Sequence, residues 1–198
     1  MNLIERRRQM MMSKSLPYDA EIEYLESTGT QYVETGFVPQ QDDVRAVVKV
    51  YKPTTSTGDN FVFGMVTTSD GCMFHLNWYS QTFYFRYRNY NNAFNCTYGL
   101  HEVEVGPKMI IDGVVKDTPT LSRTFVGNTN SIVLFADGNA NYKLKGRIYY
   151  FKIYYGDELK LDMIPVRVGT TGYMYDKVSG QLFGNQGTGN FILGADKN

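Results

Sequence analysis

The chain has 198 residues, which suits one large β domain of about 200 residues and leaves room only for a small second domain. Lys plus Arg and Asp plus Glu number 20 each, so we expect no general electrostatic attraction to nucleic acid or to an anionic membrane. Aromatic residues make up 15% of the chain, with 16 Tyr, 12 Phe and one Trp, a composition typical of strands and of surfaces that bind sugars or proteins.

The N-terminal residues 1–16 form the first predicted segment. Leu3, Ile4 and three consecutive Met residues alternate with Arg6–Arg8 and predict a short helix with an apolar stripe, which ends before Pro17. The segment lacks the apolar core of roughly 7–15 residues that a secretion signal needs, and no run approaches the roughly 18 apolar residues of a spanning helix. We therefore expect no ordinary export and no membrane insertion, and we interpret residues 1–16 as an anchor that docks onto a partner or another subunit.

Residues 17–198 are predicted to form one β domain. The clearest half-buried strand is 44–51, where Val44, Ala46, Val48 and Val50 share one face. Turn and loop residues separate the other predicted strands, and the Asn-rich stretch 89–95 is predicted to be a loop. The remaining strands are predicted at 20–27, 30–37, 61–66, 72–79, 82–88, 100–105, 108–111 and 131–136.

The aromatic stretch that begins at Gly146 is predicted to be the central strand. Alternation places Tyr149, Phe151 and Ile153 on one face and Ile148 and Tyr150 on the other, so both faces are apolar enough to be covered. About a dozen short strands with regular turn signals predict an all-β fold, an antiparallel β-sandwich or jelly roll.

Three motifs carry a resemblance to a known fold family. The stretch GRIYYFKIYYGDEL at residues 146–159 resembles the closing strands of laminin-G-like, concanavalin A-like jelly rolls. YLESTGTQYVETG at residues 24–36 and YDKVSGQLFGNQGTGNF at residues 175–191 resemble the start and end of a version found in phage structural proteins and gut bacterial surface proteins. The resemblance implies a concanavalin A-like jelly roll from about residue 18 onward.

The resemblance leaves three functions open. The leading expectation is a non-enzymatic structural, decoration or fibre protein of a bacteriophage virion, which attaches to other virion proteins or to its own subunits through residues 1–16. The first alternative is a glycan-binding adhesin on the surface of a gut bacterium. The second is a glycoside hydrolase, because concanavalin A-like folds include enzymes with paired carboxylates, and Glu102 and Glu104 are spaced to share a strand face.

Residues 77–92 combine the side chains that bind glycans. Aromatic faces stack on sugar rings, and amides or guanidinium groups reach pairs of hydroxyls. Phe83, Phe85 and Tyr87 are predicted to face the core instead. Tyr79 and Asn91 are also of suitable type. The predicted glycan-binding residues are Asn77, Trp78, Tyr84, Arg86, Arg88, Tyr90 and Asn92.

Metal and thiol chemistry have few candidates. Asp137, Asn139 and Asn141 place oxygen ligands at alternate positions, as in a calcium loop, but Ile148 stands where a later bidentate Glu is needed, so an ordinary turn is the simpler interpretation. The two His residues and two Cys residues lack zinc-site spacing, and we expect Cys72 and Cys96 to be separate thiols.

Overall fold

The computed structural model describes residues 16–56, 58–65, 73–125 and 127–197. The predicted N-terminal helix therefore lies outside the described residues. Within them the chain forms β-strands joined by turns and loops, and no helix there has the length and hydropathy needed to cross a bilayer. The strands are β1 Ala20–Glu21, β2 Leu25–Thr28, β3 Val33–Glu34, β4 Val44–Lys52, β5 Phe61–Met65, β6 Met73–Tyr79, β7 Thr82–Arg88, β8 Tyr90–Asn95, β9 Gly99–Val105, β10 Met109–Ile111, β11 Val114–Asp117, β12 Ile132–Leu134, β13 Lys145–Tyr155, β14 Glu158–Val168, β15 Thr171–Asp176, β16 Gln181–Phe183 and β17 Ile192–Leu193.

The strands form two antiparallel sheets. The larger sheet has the order β11-β10-β9-β4-β13-β14-β15-β16. In addition, β1 pairs with β14, and β2 pairs with both β13 and β17. The smaller sheet has the order β3-β12-β5-β6-β7-β8. Because β13 lies between β4 and β14, its predicted central position is confirmed.

The two sheets pack face to face around one main apolar core. From β4 the core receives Val44, Ala46, Val48 and Val50, the face that the alternation predicted. Across the interface, the rings of Phe63 and Phe151 meet with centroids 5.3 Å apart. A fully buried aromatic side chain contributes roughly 1.5–3 kcal/mol of transfer free energy, so such contacts hold the two layers together. The all-β, antiparallel sandwich prediction is confirmed.

A β-bulge in β13 changes which of its side chains face the core. The register between β13 and β4 shifts between Ile148 and Tyr150. Ile148, Phe151 and Ile153 consequently all lie in the core, where they are fully buried. The prediction that Ile148 faces away from Phe151 was wrong, because an extra residue in one strand reverses the alternation beyond it.

Three further predictions need correction. Residues 89–95 were predicted to be a loop, but Tyr90–Asn95 is β8 and pairs with β7 at the edge of the smaller sheet. Its Asn residues disfavour strands in general, and the ladder to β7 overrides that preference. The predicted strand at 20–27 is interrupted between Glu21 and Leu25, and the one at 30–37 contains only Val33–Glu34 as a strand.

Candidate functional site

The outer face of the smaller sheet carries a groove of about 630 Å³. In β6, alternation sends Phe74, Leu76 and Trp78 into the core and leaves His75, Asn77 and Tyr79 on the outer side. Antiparallel pairing sets Tyr84 of β7 opposite Asn77, and Arg86 opposite His75. The lining residues are Asp59, Phe61, His75, Asn77, Tyr79, Tyr84, Phe85, Arg86, Asn91, Asn92 and Ala93.

Two tyrosines form the aromatic part of the groove. The rings of Tyr79 and Tyr84 meet edge to face, with centroids 6.5 Å apart and planes inclined by 75°. Tyr79 is 46% exposed and Tyr84 is 43% exposed, so both rings remain available after folding. A pair of exposed rings beside hydrogen-bonding side chains is suited to an apolar ligand face that is bordered by hydroxyl groups.

Asn77 holds one rim of the groove in place. Its side chain is almost fully buried and uses both ends: Oδ1 accepts the backbone N–H of Asn60 at 3.0 Å, and Nδ2 donates to Asp59 Oδ1 at 2.6 Å. The exposed Asp59 carboxylate is thereby fixed beside the groove. Asn77 therefore positions Asp59, whose exposed carboxylate can accept further hydrogen bonds.

Arg86 and His75 set the charge at the other end. The exposed Arg86 guanidinium contacts the sulfur of Met73 at 2.8 Å, and no carboxylate of the described residues pairs with it. Burial and the nearby Arg86 charge lower the pKa of His75 to about 4, so its imidazole is neutral at physiological pH. The groove therefore offers one fixed cation at this end and one carboxylate at the other.

Trp78 does not face the groove. Its indole is fully buried in the core and packs on Phe83, with ring centroids 4.5 Å apart. The prediction that Trp78 contacts ligand is therefore corrected: alternation places it with Phe74 and Leu76.

The half-buried thiol of Cys96 is free, and burial raises its pKa to about 11, while Cys72 lies outside the described residues.

Arg88 also points away from the groove. It adopts a positive φ of 59° at the turn into β8 and pairs with Asp42 at 3.5 Å, with its side chain 12% exposed. Alternation along β7 predicts Arg88 on the outer face with Tyr84 and Arg86, but Arg88 is the last residue of the strand, and its turn conformation directs the side chain to Asp42 instead.

Tyr90 and Asn92 join the edges of the two sheets. The Tyr90 hydroxyl donates to Asp117 Oδ2 at 2.5 Å, and Asn92 Nδ2 donates to the same oxygen at 2.8 Å. Asp117 ends β11 of the larger sheet. Asn92 still lines the groove, but both side chains are bound within the protein. Among the predicted residues, Tyr84 and Arg86 thus present free groups to the groove, and Asn77 supports its rim.

Sequence reasoning missed Asp59 and His75. His75 and Asn77 are two residues apart in β6, so strand alternation predicts that both side chains lie on the same face, and His75 could have been found in this way. Asp59 lies in the loop before β5, and only the contact with Asn77 brings it to the groove.

The predicted calcium residues form a compact turn. Asp137 Oδ1 accepts the backbone N–H groups of Asn139 at 3.0 Å and Asn141 at 2.6 Å. This carboxylate is already used to close the turn, as in an Asx motif. The calcium interpretation stays a prediction, and Asp137 is the residue on which a cation would depend.

Glu102 and Glu104 lie on the outer face of the larger sheet. Glu104 pairs with Arg45 at 3.0 Å, and Glu102 accepts a hydrogen bond from the Tyr150 hydroxyl. Burial and the Glu102 contact raise the pKa of Tyr150. Glu102 lines a cavity of about 440 Å³ together with Tyr150 and Lys152, and Glu104 is not among the described residues around it. This cavity therefore contains one of the two predicted carboxylates.

Comparisons of this sequence with protein-family models and with curated proteins find no match.

Proposed function

We propose that this chain is a non-enzymatic glycan-binding β-sandwich, and that the outer face of its smaller sheet is the binding face. The observation that carries the proposal is the exposed pair Tyr79 and Tyr84 above a groove of about 630 Å³. This volume lies within the range of about 300–1,000 Å³ that is typical of small-ligand sites. The aromatic faces stack on sugar rings, and the surrounding polar side chains bind hydroxyl groups.

The groups around the tyrosines have complementary roles. The Arg86 guanidinium has several N–H donors in a fixed fork, which suits a pair of ligand oxygens. The Asp59 carboxylate accepts hydrogen bonds from hydroxyl donors. The exposed Asn91 amide can both donate and accept hydrogen bonds. Together they recognise a polyhydroxylated ligand by shape and local polar groups, in accord with the net charge of zero.

Binding without hydrolysis is the better interpretation of this groove. Glycoside hydrolysis ordinarily needs two carboxyl groups on either side of the scissile bond. Among the described residues that line the groove, Asp59 is the sole carboxylate. The two exposed tyrosines and Arg86 are groups that bind sugars, so they support a lectin-like role.

A place on a bacteriophage virion is a further part of the proposal. It is supported by the resemblance of residues 24–36, 146–159 and 175–191 to laminin-G-like jelly rolls of phage structural proteins. In this proposal the sandwich is a jelly roll of that type, and residues 1–16 attach it to other virion proteins or to its own subunits. An adhesin on a bacterial surface would use the same binding face at another location.

A glycan microarray tests the binding role. The full chain is probed beside Tyr84→Ala, and Tyr149→Ala serves as a matched control because it removes a half-buried tyrosine from the larger sheet. We expect binding to a defined glycan class, its loss in Tyr84→Ala and its retention in Tyr149→Ala. A correctly folded full chain that binds no glycan would overturn the proposal.

Attachment through the N-terminal segment has its own test. The molar mass of the full chain in solution is compared with that of a chain lacking residues 1–15. A stable oligomer that is lost on deletion would support self-association through this segment. An equal number of subunits per particle in the two chains would contradict self-association through this segment and leave attachment to another virion protein as the remaining form of the proposal.

A further inference from the structure

A second cavity adjoins the groove. Its volume is about 610 Å³, and it shares Tyr79 and Tyr84 with the first cavity. Its other lining groups include the side chains of Ser80, Thr82 and Asn95. Tyr79 and Tyr84 thus line two neighbouring cavities of nearly equal size.

We propose that both cavities hold one linear oligosaccharide, which lies across the Tyr79–Tyr84 pair instead of presenting a single terminal sugar. This inference rests on the proposed glycan-binding role and specifies the class of glycan. The ligand is an internal stretch of a linear chain that contacts protein on both sides of the aromatic pair.

The spacing along β7 sets the length of the ligand. Thr82, Tyr84 and Arg86 are alternate residues on the outer face of this strand. With a rise of about 3.3 Å per residue, the distance from Thr82 to Arg86 is roughly 13 Å. A ligand that contacts both residues must extend beyond a single sugar ring and pass over Tyr84 between them.

The two ends of this surface differ in chemistry. The first cavity contains the charged groups of Arg86 and Asp59. The second contains neutral hydroxyl and amide groups, with the Thr82 hydroxyl 3.4 Å from Asn95 Oδ1. An oligosaccharide therefore binds in one direction, because its two ends meet different partners.

The ladder of the smaller sheet prevents a peptide from pairing as a strand with β7, which contributes Tyr84 to both cavities. β7 is paired on one side with β6 and on the other with β8, so its backbone groups already take part in the sheet. Strand addition needs a free edge. A ligand that lies over β7 is therefore recognised by the side chains of this strand, as the stacking and hydrogen-bonding groups of Tyr84, Arg86 and Thr82 allow.

The test measures affinity against chain length. Cello-oligosaccharides, chito-oligosaccharides and oligogalacturonides, each as disaccharide and hexasaccharide, are titrated calorimetrically into the full chain. For the series that binds, we expect the hexasaccharide to bind at least about tenfold more tightly than the disaccharide. Arg86→Gln and Asn95→Ala, at opposite ends of the surface, should each weaken hexasaccharide binding about tenfold or more.

The outcomes separate this inference from the proposed function. Equal affinities for the two lengths, or hexasaccharide binding unaffected by Asn95→Ala in a variant with unchanged thermal stability, would overturn the two-cavity ligand and leave glycan binding intact. Failure of all three series, together with an empty glycan microarray, would overturn both.

Discussion

The Lys52 ammonium donates a hydrogen bond of 2.6 Å to the backbone carbonyl of Trp78, and both side chains are fully buried. Lys52 Nζ also lies 5.6 Å from the Trp78 ring and 5.8 Å from the Tyr98 ring. Burial lowers the pKa of Lys52 to about 8. The single Trp therefore belongs to a core that also contains a cation, and in the proposed function the ligand contacts the exposed Tyr79 and Tyr84 instead.

Replacing Trp78 should affect stability and not glycan recognition. Trp78→Ala leaves a large cavity in the core and should lower the free energy of unfolding by about 3–5 kcal/mol. Trp78→Phe should have a smaller effect and retain the glycan affinity of the unmodified chain. Urea unfolding and calorimetric titration measure the two properties. A folded Trp78→Phe variant that no longer binds glycan would contradict the core assignment.

Lys52 should make stability depend on pH. The folded pKa of about 8 lies below the unfolded value of 10.5, so in this interval the unfolded chain binds more protons. The free energy of unfolding should therefore rise with pH, by about 1 kcal/mol between about pH 8 and about pH 9. Lys52→Met should lose this rise.

Lys49→Met is the matched control for Lys52, since Lys49 lies on the opposite face of β4. It should retain the pH dependence of the unmodified chain. Cys96, whose pKa is raised by burial, remains in every variant, so its opposite contribution at higher pH is common to all. Equal pH slopes in the unmodified chain and in Lys52→Met would refute the role of Lys52.

Asp137 should act as the cap of its turn. Asp137→Ala removes the acceptor of two backbone N–H groups and should lower the free energy of unfolding by about 1 kcal/mol. Asp137→Asn keeps an acceptor oxygen and should be milder. Calcium should not raise the melting temperature of the unmodified chain. A calcium-dependent rise that Asn141→Ala removes would instead establish a metal site.

Glu104 should be structural and not catalytic. Its ion pair with Arg45 is partly exposed, so Glu104→Gln should lower the free energy of unfolding by at most about 1 kcal/mol. The unmodified chain should release no reducing sugar from polysaccharides. Release that Glu104→Gln abolishes would establish the glycoside hydrolase alternative.

Alternation in the sequence was sufficient to predict the core faces of β4 and β7. It assigned Val44, Ala46, Val48 and Val50 correctly, and likewise Phe83, Phe85 and Tyr87. Applied to β6, the same rule would have placed Trp78 in the core and Tyr79 on the outer face. Trp78 was predicted to bind ligand because of its residue type, although its position in the alternation of β6 assigns it to the core.

Other features depend on contacts between distant residues. The bulge at Ile148 is set by the pairing of β13 with β4, and β8 exists because β7 offers an edge to an otherwise polar stretch. Asp59 reaches the groove through Asn77, which follows it by a loop and a strand. Local pattern carries no information about these pairings, so the site could be predicted only in part.

Nuclear magnetic resonance mapping of a bound glycan shows directly whether the outer face of the smaller sheet is the binding face. A glycan found on the microarray is titrated into isotope-labelled full chain, and the perturbed resonances are located on the two sheets. We expect the perturbed resonances to cluster at Tyr79, Tyr84, Arg86 and Asn91 on the smaller sheet. A cluster at Tyr149 and Tyr150 on the larger sheet, with these four residues unperturbed, would contradict the proposed binding face.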